Sequence, residues 1–262
     1  MGNVTLPIAT SIRVGRQDSE PDTRWRDYFP SAHQTGVGFG DLPKVARSIA
    51  DILSRAPTEK VSQLVSKKGM DARIDYNSLA EEFNSAYWLR NFIKCLAVCR
   101  FASTEIAGKS RFMDFGGGGG PFSLAAISVS PNLSCTIYDE SPAQEAIFVE
   151  LLQRQLMPRN VSFQNRRVTQ DLFLEKSEPR LLSYFLCENR HLLCGNAAIR
   201  GAIGDFSVVV DYLPIVRAVA DSAASGGWNN RLVKSMKLPL DPELSVYLRQ
   251  EIITISGGVF WR

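Results

Sequence analysis

The sequence has two histidines, five cysteines and no long apolar run, and each shortage narrows what the chain can be. No stretch reaches the roughly eighteen apolar residues of a membrane span, so no spanning helix and no membrane partner are expected. The opening MGNVTLPIATSIRVG lacks the basic start and apolar core of a secretory leader. Leu6 also stands where a myristoylation signal needs Ser or Thr. An odd set of cysteines (Cys95, Cys99, Cys135, Cys187 and Cys194) without an export signal reads as free thiols in a reducing compartment. A cytoplasmic location is the expectation. A formal net charge of +3 is too small to identify a nucleic-acid partner by itself.

Apolar residues are not scarce. At 45% apolar and 22% charged, the 262 residues can bury a sizeable core. Residues 1 to 40 are rich in Gly, Pro, Asp, Arg and Ser, and read as an irregular arm with Trp25, Tyr28 and Phe29 as anchors. LPKVARSIADILSRA places Val45, Ile49, Ile52 and Leu53 at helical spacing. A second helix is expected from Ser78, with Ser78 and Glu81 as a capping box and an apolar face of Leu79, Phe83, Tyr87, Ile93 and Leu96. Residues 1–104 therefore read as an arm and helical extension that helps cover a site.

After Lys109 the pattern changes. RFMDF reads as a strand, PFSLAAISVS as a small-residue helix and LSCTIYDE as a second strand. Ser141 and Pro142 then start a helix with Gln144 as capping partner, and VSFQNRR is a third strand. DFSVVVDYL, NRLVKSMKL and EIITISGGVFW follow, all rich in β-branched residues. Strands alternating with helices imply parallel pairing. The expected fold class is α/β: a doubly wound, mostly parallel seven-stranded sheet over residues 105–262. The stretch LLSYFLCENRHLL is open between a fourth strand running into a loop and a helix.

The most informative stretch is FMDFGGGGGPFSLA, with five consecutive glycines. Ordering glycine costs more backbone entropy than ordering any other residue. Five in a row between a strand and a helix therefore mark a turn where the backbone must approach a ligand. A phosphate loop is excluded because no Lys-Ser/Thr pair follows. The dinucleotide fingerprint fails at Pro121 when started at Gly116, and at Phe122 when started at Gly117. Asp139 and Glu140 close the second strand about twenty residues on, where an acid can accept ribose hydroxyls.

MDFGGGGGPFSLA followed by CTIYDESP resembles the D-x-G-x-G-x-G and acidic second-strand motifs of class I, Rossmann-like S-adenosylmethionine-dependent methyltransferases. The resemblance covers residues 110 to 172. It implies S-adenosylmethionine as cofactor. Asp114, Gly116, Gly118 and Gly120 would lie at its methionine end, Asp139 or Glu140 at its ribose, and Asp171 near its adenine.

Two assignments of the acceptor side follow. If LLSYFLCE is the fourth strand, Glu188 and His191 follow it as base candidates, with Tyr212 or Tyr184 lining the pocket. That arrangement resembles enzymes methylating an O or N atom of a small molecule, and it is the favoured expectation. If the stretch is a helix, DFSVVVDYLP is the fourth strand. The order then resembles the Lys-Asp-Lys-Glu tetrad of RNA ribose 2′-O-methyltransferases, with Lys94, Asp211, Lys234 and Glu251 and RNA as partner. Local matching puts Trp88 or Arg90 in the first lysine's place. A third reading is a catalytically silent module in an assembly. A homodimer is compatible with each, and no metal is expected.

Overall fold

The computed structural model describes residues 24–32, 35–54, 59–60, 75–175 and 177–262. Seven strands form one sheet: β1 (Arg111–Phe115), β2 (Ser134–Asp139), β3 (Val161–Asn165), β4 (Arg180–Ser183), β5 (Phe206–Val210), β6 (Asn229–Pro239) and β7 (Ile252–Trp261). Their order is β3-β2-β1-β4-β5-β7-β6. The first five are parallel, and β7 runs antiparallel to both β5 and β6. The expected doubly wound, mostly parallel sheet is the one found.

The strands read as their positions require. Inner β5 is buried along all of FSVVV, because helices cover both faces of a parallel sheet. Edge strand β6 turns Arg231, Lys234 and Lys237 outward, and such charges discourage edge-to-edge pairing. The chain builds outward from β1 through β2 to β3, then returns to lay β4 on the other side. That reversal leaves a crevice at the carboxyl ends of β1 and β4.

The ambiguous stretch resolves into short pieces. β4 ends at Ser183, followed by a one-turn helix Phe185–Glu188 and a 3-10 turn Arg190–Leu193. DFSVVV is therefore the fifth strand, and its assignment as fourth strand is corrected. A capping box from Ser78 and Glu81 does not form. The helix runs Ala80–Phe101, and Ser78 instead gives its N–H and hydroxyl to the Asp75 carboxylate. Asp75 wins because its ionised carboxylate accepts from several donors of the turn at once.

The expected single apolar face of Ala80–Phe101 also needs correction. Ile93 and Leu96 are buried, yet so are Trp88, Leu89, Phe92, Cys95, Ala97, Val98 and Cys99. The helix is enclosed because it packs between the Pro121–Val129 helix, the sheet and the Lys44–Leu53 helix. A Cβ at Gly257 of β7 would lie 2.8 Å from a Val98 methyl and 2.5 Å from the Val209 carbonyl, so glycine there permits the close approach. The arm anchors Trp25 and Phe29 are buried in the same core. No helix among the described residues is long and apolar enough to cross a membrane.

Candidate functional site

The glycine turn joins β1 to the Pro121–Val129 helix at the crevice. Gly116, Gly118 and Gly120 have φ of 64°, 50° and 80°, the left-handed region that side chains resist. The alternation separates their roles. The spaced glycines supply the turn's backbone conformation, while Gly117 and Gly119 supply closeness. A Cβ at Gly117 would lie 2.7 Å from the Asp114 carboxyl carbon, and one at Gly119 would lie 2.9 Å from Asn84 Oδ1.

Asp114 is fully buried beneath the turn. Its Oδ2 accepts the Ser123 N–H at 3.1 Å and the Ser123 hydroxyl at 2.6 Å. Its Oδ1 is buried without a hydrogen-bond partner. Burial pushes the carboxyl up to about 7, despite the two Ser123 bonds. Asp139 closes β2 and reaches back to the turn, with Oδ2 accepting the Gly118 N–H at 3.0 Å and Oδ1 the Ser141 N–H at 2.9 Å. Burial also raises Asp139 above the usual carboxylate range, against these bonds. Ser141 caps the Pro142–Gln153 helix by accepting the Gln144 N–H, as its sequence position suggests.

The Ala80–Phe101 helix braces the turn from the other side. Trp88 Nε1 donates to the Gly119 carbonyl at 3.1 Å, and Asn84 Nδ2 donates to Gln144 Oε1 at 2.9 Å. Gln144 Nε2 is buried without a partner. Neither Trp88 nor Asn84 is legible as a turn contact in the sequence, since nothing local links Trp88 to a glycine 31 residues on.

Beyond the turn, the ends of β4 and β5 carry the remaining groups. Tyr184 follows β4 with φ of 56°, held there by its N–H to the Val210 carbonyl at 2.8 Å. Its hydroxyl lies 2.6 Å from Lys94 Nζ, and its ring packs edge-on against Tyr212 at 5.4 Å. Burial, and then the Arg90 charge on the same helix, lower Lys94 to about 8. Asp211 closes β5 in a buried position, where it accepts the Tyr212 N–H at 2.7 Å and the Cys187 N–H at 3.2 Å. Burial lifts it to about 6. Glu188 accepts the Tyr76 hydroxyl. The residue is exposed overall, but local burial of its carboxylate, then the neighbouring charges of Asp211 and Asp139, lift it to about 7.

The sequence candidates are thus partly assembled. Asp114, Gly116, Gly118, Gly120 and Asp139 form one constellation. Glu140 points outward, with Arg167 at 3.8 Å, and Asp171 is exposed on the short Gln170–Leu174 helix. Tyr212 is 36% exposed beside Tyr184, whereas His191 is exposed on the 3-10 turn. Of the four tetrad residues, Lys94 and Asp211 come near each other, since Asp211 contributes to the charge environment of Lys94. Lys234 and Glu251 cannot both join them. Lys234 follows Val233, which faces Gly257, and Glu251 precedes Ile252, which faces Pro239. Five or six residues of ladder separate the two, on the order of 16–20 Å.

No protein-family profile matches the sequence, and no curated protein matches it. Solved structures do match. A precorrin-6y C5,15-methyltransferase of Geobacter metallireducens shares 11% identity over 62% of this chain and 85% of its own, with a TM-score of 0.45. The 16S rRNA methylase RmtB shares 11% over 84% and 75%, with a TM-score of 0.46. The plantazolicin methyltransferase BpumL, in complex with SAH, shares 10% over 83% and 98%, with a TM-score of 0.45. At such identities and scores these likenesses carry no argument about activity.

Proposed function

We propose that the chain is an S-adenosylmethionine-dependent methyltransferase acting on an O or N atom of a small-molecule acceptor. The observation that carries this reading is the turn at the β1–β4 crevice: three left-handed glycines, with Asp139 bonded to the middle one. The donor set suits the cofactor. Gly116, Gly118 and Gly120 would leave room beside the methionine portion, and Asp139 retains lone pairs for ribose hydroxyls. Asp114 Oδ1 and Gln144 Nε2, both buried and unpartnered, are polar atoms beside that turn with bonding capacity to spare.

When bound, S-adenosylmethionine supplies an electrophilic methyl group. The protein's own task is then to orient the acceptor and take its proton. Lys94 is suited to that task. Near pH 8 a large share of its amine is neutral, and Tyr184 holds it by hydrogen bond and by the ring face, 5.1 Å from Nζ. Tyr212 adds an open aromatic wall, and the Asp211 charge steadies Lys94 once it is protonated. Glu188 lies at the same mouth as a second group near neutrality.

The test is transfer of a radiolabelled methyl group into separated pools of small metabolites and RNA. Label in the small-molecule fraction, lost in Lys94→Met, is the expected result. Label confined to RNA would replace the acceptor class. Cofactor binding without transfer to any pool would make the protein a silent module.

A further inference from the structure

The turn 75–78 spans the crevice just described. Asp75 organises it, accepting the Asn77 N–H at 3.1 Å and the Ser78 hydroxyl at 2.7 Å. On one side, the Ser141 hydroxyl, just after β2, donates to Asn77 Oδ1 at 2.9 Å. On the other side, the Tyr76 hydroxyl donates to Glu188, beyond β4. In the sheet β1 lies between β2 and β4. A segment tied to the ends of both neighbours therefore crosses over the carboxyl end of β1, where the glycine turn lies. Tyr76 is half-buried. It sits within the electrostatic reach of both Asp139 and Glu188, and its ring meets Phe83 edge-on at 4.9 Å.

We propose that Tyr76 is a residue of the cofactor site, carried on a strap that leaves Glu188 to admit the ligand and closes over it afterwards. The inference rests on the cofactor assignment above. Its footing on the protein is light: Asp75, Asn77 and Ser78 are exposed, and among the described residues few side-chain bonds hold the turn to the sheet. Such segments open far below the cost of global unfolding. The aromatic ring would shield the ligand from water, and the hydroxyl would latch the strap. Entry and exit would both be timed by one hydrogen bond.

The experiment is stopped-flow binding of S-adenosylhomocysteine, read by tryptophan fluorescence, for which Trp88, bonded to the glycine turn, is a built-in reporter. Tyr76→Phe keeps the ring and removes the latch. Association and dissociation should both quicken, by about tenfold, for loss of a hydrogen bond to a carboxylate. Glu188→Gln should shift both rates in the same direction by less, which keeps the test alive if one variant folds poorly. Tyr76→Ala should in addition lose affinity. Rates unchanged in Tyr76→Phe, while the wild type binds, would overturn the strap. Faster association with unchanged dissociation would also overturn it, because the turn would then be a plug and not part of the site. Failure of the wild type to bind would instead overturn the cofactor assignment beneath it.

Discussion

Lys94 Nζ lies 2.6 Å from the Tyr184 hydroxyl, joining residues 90 apart in sequence at the ends of a helix face and a strand. In the function proposed above, the pair lies on the acceptor side of the crevice. It also makes the proposed reaction sensitive to pH in one direction. A lysine must be neutral before it can accept a proton, and burial and Arg90 place the Lys94 transition at about 8.

Methyl transfer should therefore rise with pH through about 8 and level off above it. Lys94→Met should lower kcat/KM by roughly a hundredfold or more, the usual loss for a general base, and should remove the pH limb. Tyr184→Phe, which keeps the ring and loses the bond, should move the limb while leaving some activity. A pH–rate profile on the three proteins checks this.

Asp114 predicts a pH effect on stability with a definite sign. Its folded-state carboxyl is raised to about 7 by burial, so the folded chain holds a proton that the unfolded chain releases near pH 4. This contribution to stability is full below about pH 4 and is lost as pH rises through 7. Asp114→Asn should flatten that fall in melting temperature between about pH 4 and 7. A fall as steep as in the wild type would assign it to other groups.

Gly120 should tolerate substitution worse than Gly108. With φ of 80°, and with Ile137 and Met157 carbons each 3.0 Å from an added Cβ, Gly120→Ala pairs backbone strain with crowding. It should cost on the order of 1–3 kcal/mol. Nothing lies within 4 Å of a Cβ at Gly108, so Gly108→Ala should be close to neutral. Urea unfolding of the two variants measures the difference.

What could be read in the sequence were the features written locally. The five glycines after RFMDF, the acid ending SCTIYD and the Ser141-Pro142 cap are signals of a few residues each, and all three recur in the structure. Features settled by distant packing were not readable. Arg180 looks like an ordinary polar residue at the start of a strand, yet it is fully buried. It donates to the carbonyls of Ala202, Phe173 and Glu175. The 180–193 stretch escaped assignment because a four-residue strand and a one-turn helix are both too short for periodicity to show. Lys94 was visible only as a tetrad candidate, since its partner Tyr184 depends on a left-handed backbone imposed by the Val210 bond. The Tyr76–Glu188 contact spans 112 residues and leaves no local trace.

The most direct test of the central claim is calorimetric titration with S-adenosylhomocysteine of the wild type and of Asp139→Ala. Asp139 bonds the middle glycine of the turn at 3.0 Å and is the acid assigned to the ribose. The wild type should bind, and Asp139→Ala should bind at least about tenfold more weakly, as expected for lost hydrogen bonds to a carboxylate. No binding by the wild type, or equal binding by both proteins, would contradict the account.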